Sequence, residues 1–145
     1  MGLNDSLNDP NKKDSVVADC VKLIDEQVAA KGGMSGLGLK AAYGTVKGVK
    51  PGYIAGSVHG LLPEVLAVLD PMWTEGSQTG NPVEYLTQNR SRAADALLSI
   101  TDARIEKSKN GIVRGAYSKL RNSAKNDVEE AIPGLAQIID NYTKA

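Results

Sequence analysis

A single histidine, His59, and a single cysteine, Cys20, are the most reactive side chains in this sequence. Protein zinc sites take several His or Cys ligands, and this sequence does not supply them. No nucleophile elbow surrounds His59, because G-x-S-x-G is absent. We interpret His59 as a hydrogen-bonded structural residue within an apolar helix, and Cys20 as a buried, inert thiol. The sequence predicts neither a metal site nor a cofactor.

Carboxylates offer a second route to catalysis, and three of them lie in one stretch of predicted helix. Asp95 and Asp102 are seven residues apart, and Asp102 and Glu106 are four apart, so each pair lies on roughly one helix face. No histidine joins them at metal-ligand spacing, which excludes a di-metal bundle of the Glu-x-x-His type. Pairing with neighbouring Lys and Arg side chains is the alternative explanation. An enzyme using His59 or Asp102 is therefore the least favoured function.

Basic residues form the third set, since they could hold an anion. Residues 64–89 carry four acids and no base, whereas residues 90–125 carry nine bases and three acids. Two explanations are open: the charge blocks attract one another within the fold, or the basic block binds phosphate on a ligand or a nucleic-acid backbone. The anion-binding hypothesis rests on Lys40, Lys47, Lys50, Arg104, Lys107, Lys109, Arg114 and Arg121.

Glycines recur every four residues from Gly32 to Gly60, with Lys40 at the one missing step. Each glycine inside a helix costs about 1 kcal/mol relative to alanine, so we expect a compensating gain. Positions four apart share one helix side, where glycines let another backbone approach closely. We expect tight helix packing within the chain first; the alternatives are an interface with a second copy or partner helix, and an anion-binding element. The packing or interface positions are Gly44, Gly48, Gly52, Gly56 and Gly60.

Prolines mark the predicted helix starts. Asp9-Pro10, Asp70-Pro71 and Asn81-Pro82 each place an Asx residue before proline, the preferred pairing of N-cap and first helical position. Glu84 follows Asn81 by three residues, as in a variant of the capping box.

Apolar residues spaced by threes and fours predict the helices themselves. Pro51 separates two of them, and Pro133 interrupts the last stripe, which we expect to form two helices or one bent helix. The predicted ranges are Pro10–Ala30, Ser35–Val49, Gly52–Leu62, Ser91–Asn110 and Ile112–Tyr142. The sequence thus predicts an all-α compact bundle of five to seven helices, several short and proline-started. We expect one domain over residues 1–145, with a flexible N-terminus at 1–9.

Composition indicates where such a domain would work. The sequence has no Phe and one Cys, so its interior must be aliphatic and it can form no internal disulfide. Its N-terminus lacks the basic and apolar regions of a signal peptide. The longest apolar stretch, Gly52–Leu69, contains His59, Pro63 and Glu64 and makes a poor membrane span. We expect a cytoplasmic protein without a membrane span.

Several segments together resemble a family of short, uncharacterised, all-helical bacterial proteins with no assigned activity. They include Ala41–Ile54, Leu61–Glu64, Leu69–Trp73, Ala94–Leu98, Thr101–Arg104 and Ile132–Leu135. The resemblance implies a bacterial cytoplasmic protein and a standalone domain. It transfers no catalytic residue.

The favoured functional hypothesis is a non-enzymatic helical module. It would self-associate as a homo-oligomer or bind a protein partner through its glycine-lined and apolar faces. The alternative is a binder of a phosphorylated ligand or nucleic-acid backbone through the basic residues. Sequence alone assigns no role to His59, Asp95 or Asp102.

Overall fold

The computed structural model describes Leu3, Leu7 and residues 9–31, 33–49 and 52–143, apart from the side chains of residues 10, 11, 33–35, 122 and 123. All regular structure in this part of the chain is helical. Its six helices are α1 (Pro10–Ala30), α2 (Gly33–Lys47), α3 (Tyr53–Gln78), α4 (Pro82–Gln88), α5 (Arg90–Lys107) and α6 (Gly111–Thr143). The predicted all-α bundle is confirmed. None of these helices is long and apolar enough to cross a bilayer.

Two of the three predicted Asx-proline helix starts are confirmed. The helix α1 begins at Pro10, and α4 begins at Pro82. At the second of these starts, the side-chain oxygen of Asn81 accepts a hydrogen bond from the backbone N–H of Glu84 at 3.0 Å. Such an N-cap satisfies a donor that the first turn of a helix leaves without an intrahelical partner.

The third predicted start, at Asp70-Pro71, is wrong, and so is the predicted helix end near Leu62. Pro63 and Pro71 both lie inside α3, which continues to Gln78. A proline inside a helix removes a backbone hydrogen bond and typically costs about 3 kcal/mol. The buried face of α3 outweighs this cost, because packing supplies most of the stability of helices in proteins. Its buried apolar side chains are Leu62, Leu66, Leu69, Met72 and Trp73.

The other predicted ranges agree with the structure to within a few residues. The helix predicted over Ser35–Val49 is α2, and the one predicted over Ser91–Asn110 is α5. The last apolar stripe forms the single helix α6, with Pro133 inside it. Because the stripe stays in register across Pro133, the helix continues through it.

Only part of the predicted flexible N-terminus lies within the described residues. Leu3 and Leu7 are buried, at 4% and 0% exposure. The backbone N–H of Leu3 donates to a side-chain oxygen of Asp70 at 3.3 Å. Both leucines therefore belong to the core, and the flexibility of residues 1–9 stays a prediction.

The long helix α6 packs against α1, α2, α4 and α5. The most buried side chains around it are aliphatic, among them Leu66, Leu69 and Leu86. Ile132 and Ile139 of α6 itself are each 1% exposed. With no Phe in the sequence, short aliphatic side chains must fill the space between the helices.

The glycine grid does not pack against other helices at three of its positions. Within the described residues, a Cβ added to Gly44, Gly52 or Gly56 would meet no atom within 4 Å. The tight packing within the chain expected there is therefore wrong. All five predicted positions, Gly44, Gly48, Gly52, Gly56 and Gly60, are exposed. Gly52 has a backbone role instead, since its φ of 73° is left-handed and favours glycine at the N-cap of α3.

Close approach occurs at a glycine outside the grid. Gly76 of α3 is buried, and a Cβ there would lie 2.7 Å from Cα of Pro82 and 2.8 Å from Cβ of Tyr85. Both neighbours belong to α4, and neither atom is the end of a flexible side chain. Gly76 thus allows α4 to pack directly against the end of α3.

Gly76→Ala should lower the free energy of unfolding by about 1–3 kcal/mol, because the added methyl group forces α3 and α4 apart. Gly56→Ala is the matched control in the same helix. It should raise the free energy of unfolding by up to about 1 kcal/mol, since its methyl group meets open space and alanine favours the helix. Urea denaturation followed by circular dichroism measures both changes. Equal effects of the two substitutions would contradict the close α3–α4 contact.

Candidate functional site

Ion pairs join the charge blocks to one another inside the fold. Arg92 lies 3.2 Å from the carboxylate of Glu75, which belongs to the acidic block at 64–89. The Lys31 ammonium lies 2.8 Å from Asp127 and 2.6 Å from Glu130, in the acidic C-terminal block. For these residues, attraction within the fold is the explanation that the structure supports.

Two of the predicted anion-binding arginines hold the α5–α6 connection. One guanidinium nitrogen of Arg114 donates to the carbonyls of Ile105, Glu106 and Ser108, at 2.8, 3.2 and 3.1 Å. These carbonyls lie at the C-terminal end of α5, where a helix leaves acceptors without intrahelical partners. Arg121 pairs with Asp102 across the two helices at 3.0 Å.

The predicted lysines are placed differently. Lys40, Lys107 and Lys109 are exposed. Lys47 lies 3.6 Å from the carboxylate of Asp25, and Lys50 lies outside the described residues. Anion binding stays a prediction that rests on the exposed lysines and on Arg104.

The reactive side chains His59, Asp95 and Cys20 lie on three different helices, α3, α5 and α1. His59 is exposed on α3 and its imidazole makes no side-chain hydrogen bond within the described part of the chain, so its interpretation as a hydrogen-bonded structural residue is not supported. Asp95 pairs with Lys125 at 2.6 Å. Cys20 is buried, as predicted. Among the described residues, no three His, Cys, Asp or Glu side chains gather as metal ligands.

Asp102 belongs to a polar cluster that joins α5 to α6. The hydroxyl of Tyr117 donates to Asp102 at 2.5 Å and lies 2.7 Å from the hydroxyl of Thr101. The hydrogen bond from Arg121, followed by that from Tyr117, lowers the pKa of Asp102. Burial, followed by the hydrogen bond to Asp102, raises the pKa of Tyr117. Both shifts move the pKa values of these groups away from neutral pH, where a general acid or base works best.

The ring of Tyr117 contributes to the wall of a cleft of about 380 Å³, which we call the first cleft. Its walls come from α2, α3, α5, α6 and the α5–α6 connection. Its lining residues are Tyr43, Val46, Tyr53, Ile54, Ser57, Leu61, Thr101, Arg104, Ile105, Ser108, Val113, Tyr117 and Leu120. Of the residues that the structure describes, Arg104 is the one charged side chain in this lining.

A second cleft of about 380 Å³ is adjacent to the first and extends to α1. The two clefts have Tyr43, Ile54, Ser57, Leu61, Thr101, Tyr117 and Leu120 in common. Most of the second lining is aliphatic, from Ile24, Val28, Leu39, Ile54, Val58, Leu61, Leu98, Leu120, Ala124, Val128 and Ala131. We call the two together the joined cleft.

Polar side chains at the edges of the joined cleft are paired with one another. The hydroxyl of Tyr43 donates to Asp25 at 2.6 Å, and burial raises the pKa of this tyrosine. Lys31 and Asp127, in the lining of the second cleft, form the ion pair described above. The space between these pairs is therefore mostly apolar.

Comparison with known proteins places the chain in a family. A family of unknown function, DUF6918, matches residues 3–143. The chain belongs to this family. No curated protein and no solved structure matches it. The predicted resemblance to a family of all-helical proteins without assigned activity is confirmed.

Sequence reasoning missed the joined cleft of this DUF6918 chain. Its walls come from five helices, α1, α2, α3, α5 and α6, and no local pattern relates their positions. No motif or spacing in the sequence indicates it, because the lining combines tyrosines with aliphatic residues from separate helices.

The buried thiol of Cys20 should make the free energy of unfolding depend on pH. Burial, and to a lesser extent the charge of Asp19, raises the pKa of the Cys20 thiol to about 11. An unfolded cysteine has a pKa of about 8.5, so the unfolded chain loses its thiol proton at lower pH. This difference in pKa stabilises the folded chain. The stabilisation is complete below the pKa of the unfolded thiol and is lost as the pH rises toward 11.

Cys20→Ala removes this titration and leaves every tyrosine in place. Wild type should therefore lose about 2 kcal/mol more unfolding free energy than Cys20→Ala between about pH 8 and pH 11. Urea titrations of both proteins across that range measure the difference. Parallel pH profiles would show that the thiol titrates alike in the folded and unfolded chains.

Proposed function

We propose that this DUF6918 chain is a binding module for a small, mostly apolar molecule, and that the joined cleft is its binding site. The adjacency of the two clefts, which share seven lining residues, carries the proposal. Small-molecule sites typically measure about 300–1,000 Å³ and combine apolar walls with a few polar groups. Each cleft alone, at about 380 Å³, is within this range.

The chemistry of the walls supports an apolar ligand over a polar one. Edge groups such as Tyr43 and Tyr117 already donate to carboxylates of the protein. A polar ligand would leave its own groups without partners in most of the second cleft, and burying such groups is unfavourable. An apolar ligand instead removes apolar wall from water, at about 25 cal/mol for each Å².

Ala124→Phe tests this site, because a phenyl ring on α6 would occupy part of the second cleft. N-phenyl-1-naphthylamine, a neutral probe that fluoresces in apolar sites, should bind wild type with about tenfold higher affinity than the variant, or about 1.4 kcal/mol. The matched control is Ala29→Phe, at an exposed position of α1 that lines neither cleft. This control should bind the probe as wild type does.

Light scattering and thermal denaturation should accompany the titrations, so that aggregation or unfolding of a variant is recognised. Failure of the wild-type chain to bind the probe would overturn the proposed function. Equal probe affinity in a folded Ala124→Phe variant would overturn the assignment of the site.

Self-association is a second candidate, supported by two exposed apolar side chains. Leu37 and Ile112 are 65% and 62% exposed. A groove of about 360 Å³ between α2 and α6 lies beside them, with Gly38, Gly111 and Gly115 in its walls. One face thus carries both protruding side chains and a depression of small residues. Under two-fold symmetry, such a face complements a second copy of itself.

Ile112→Glu would place a charge in that contact and should convert a dimer into a monomer. Multi-angle light scattering over a range of concentrations measures the change. Ser118→Glu adds the same charge at another exposed position of α6 and should leave the dimer intact. A wild-type chain that stays monomeric at high concentration would exclude this candidate.

We further infer a bacterial, cytoplasmic protein. A free, buried Cys20 without a disulfide partner supports this location. Binding of a phosphate-bearing ligand stays an alternative through the exposed Lys40, Lys107 and Lys109. Cell fractionation checks the location, and a salt-dependent titration with inorganic phosphate checks the alternative.

A further inference from the structure

We propose that the ligand is a single-chain amphiphile with a carboxylate head group, and that Arg104 in the first cleft binds this head group. The inference rests on the proposed function and specifies the chemical class of its ligand. It follows from the charges, donors and hydroxyl groups that the joined cleft presents.

Charge is distributed unequally between the two ends of the joined cleft. Among the described residues, Arg104 is the one charged side chain in the lining of the first cleft. At the other end, Lys31 is already held by Asp127 and Glu130, at 2.8 and 2.6 Å. Two carboxylates around one ammonium repel a further anion. An anionic head group therefore fits the Arg104 end, with its apolar chain in the second cleft.

Arg104 is anchored in a way that leaves donors for a ligand. Its Nη2 donates to the backbone carbonyl of Gly60 at 2.9 Å and lies 3.5 Å from the carboxylate of Glu64. Within the described part of the chain, Nε and Nη1 make no hydrogen bond. Each parallel pair of N–H groups on a guanidinium includes Nη2, which is occupied here, so Arg104 offers Nε and Nη1 to a carboxylate as single donors.

The ion pair between Arg104 and Glu64 is a weak competitor. The two side chains are 51% and 54% exposed, and exposed pairs of this kind contribute little stability. A ligand carboxylate can therefore approach the guanidinium without a large loss. Glu64 also limits the negative charge that the head group of the ligand can carry, since its carboxylate would repel a doubly charged phosphate more strongly than a carboxylate.

Hydroxyl groups complete the surroundings of the head group. Ser57 lines both clefts, and Tyr53 lines the first. Neither hydroxyl has a hydrogen-bond partner among the described residues. The carboxylates of Glu64 and Asp102, which lie beside this lining, already pair with Arg104 and Arg121, so a cationic head group would have to compete with these arginines. The first cleft therefore combines one cation with free hydroxyl groups, as recognition of a carboxylate requires.

Displacement of N-phenyl-1-naphthylamine tests the inference, with ligands kept below their critical micelle concentrations. Dodecanoate should displace the probe at about tenfold lower concentration than dodecanol, and dodecyltrimethylammonium should bind more weakly than either. Arg104→Gln should remove the advantage of dodecanoate and leave dodecanol unchanged. Glu64→Gln, which removes the competing carboxylate, should strengthen dodecanoate binding.

Arg92→Gln is the matched control, because Arg92 is also a half-exposed arginine paired with a glutamate, but lines neither cleft. It should bind both ligands as wild type does. Equal affinities for dodecanoate and dodecanol, or an Arg104→Gln variant with undiminished preference for dodecanoate, would overturn the inference and leave the proposed function standing. Tighter binding of dodecyl phosphate than of dodecanoate would overturn the carboxylate assignment. Failure of the probe and every ligand to bind would overturn the proposed function itself.

Discussion

Packing against α6 holds α1, α2, α4 and α5 together in one bundle. Aliphatic side chains fill most of the core, together with Met72 and Trp73 of α3, and the sequence supplies no Phe. Where α4 meets α6, leucine and isoleucine side chains are almost completely buried, as at Leu86 and Ile132. Where α2 and α5 meet α6, side chains of these helices and of α3 line the joined cleft. Core and candidate site thus both depend on the packing of α6.

Helix prediction succeeded where a local signal and a buried face agreed. Asn81-Pro82 begins α4 because its cap is formed and an apolar face follows. Asp70-Pro71 carries the same signal, but Leu69, Met72 and Trp73 are all buried in one continuous face of α3. Ending the helix there would break that face, so packing overrides the local preference. The sequence pattern alone does not report how deeply each apolar residue is buried.

The glycines show that spacing along the sequence does not identify which positions another helix covers. A regular spacing made Gly44 and Gly56 look like contact positions, whereas the close contacts with other helices are at Gly76 and Gly134. Whether a glycine is covered depends on the helix opposite, which the sequence does not identify. The charge blocks were more informative, since Arg92 and Lys31 do pair with acidic blocks distant in sequence. The joined cleft stayed hidden because its residues come from five helices.

The polar pairs at the edge of the joined cleft connect binding with stability. Tyr117 is fixed by Asp102 and Thr101, and Tyr43 by Asp25, so their rings are held at the walls before any ligand arrives. A wall arranged in advance loses little conformational freedom on binding, which favours affinity. A ligand that fills the cleft binds only the folded chain and therefore stabilises it in proportion to its affinity and concentration.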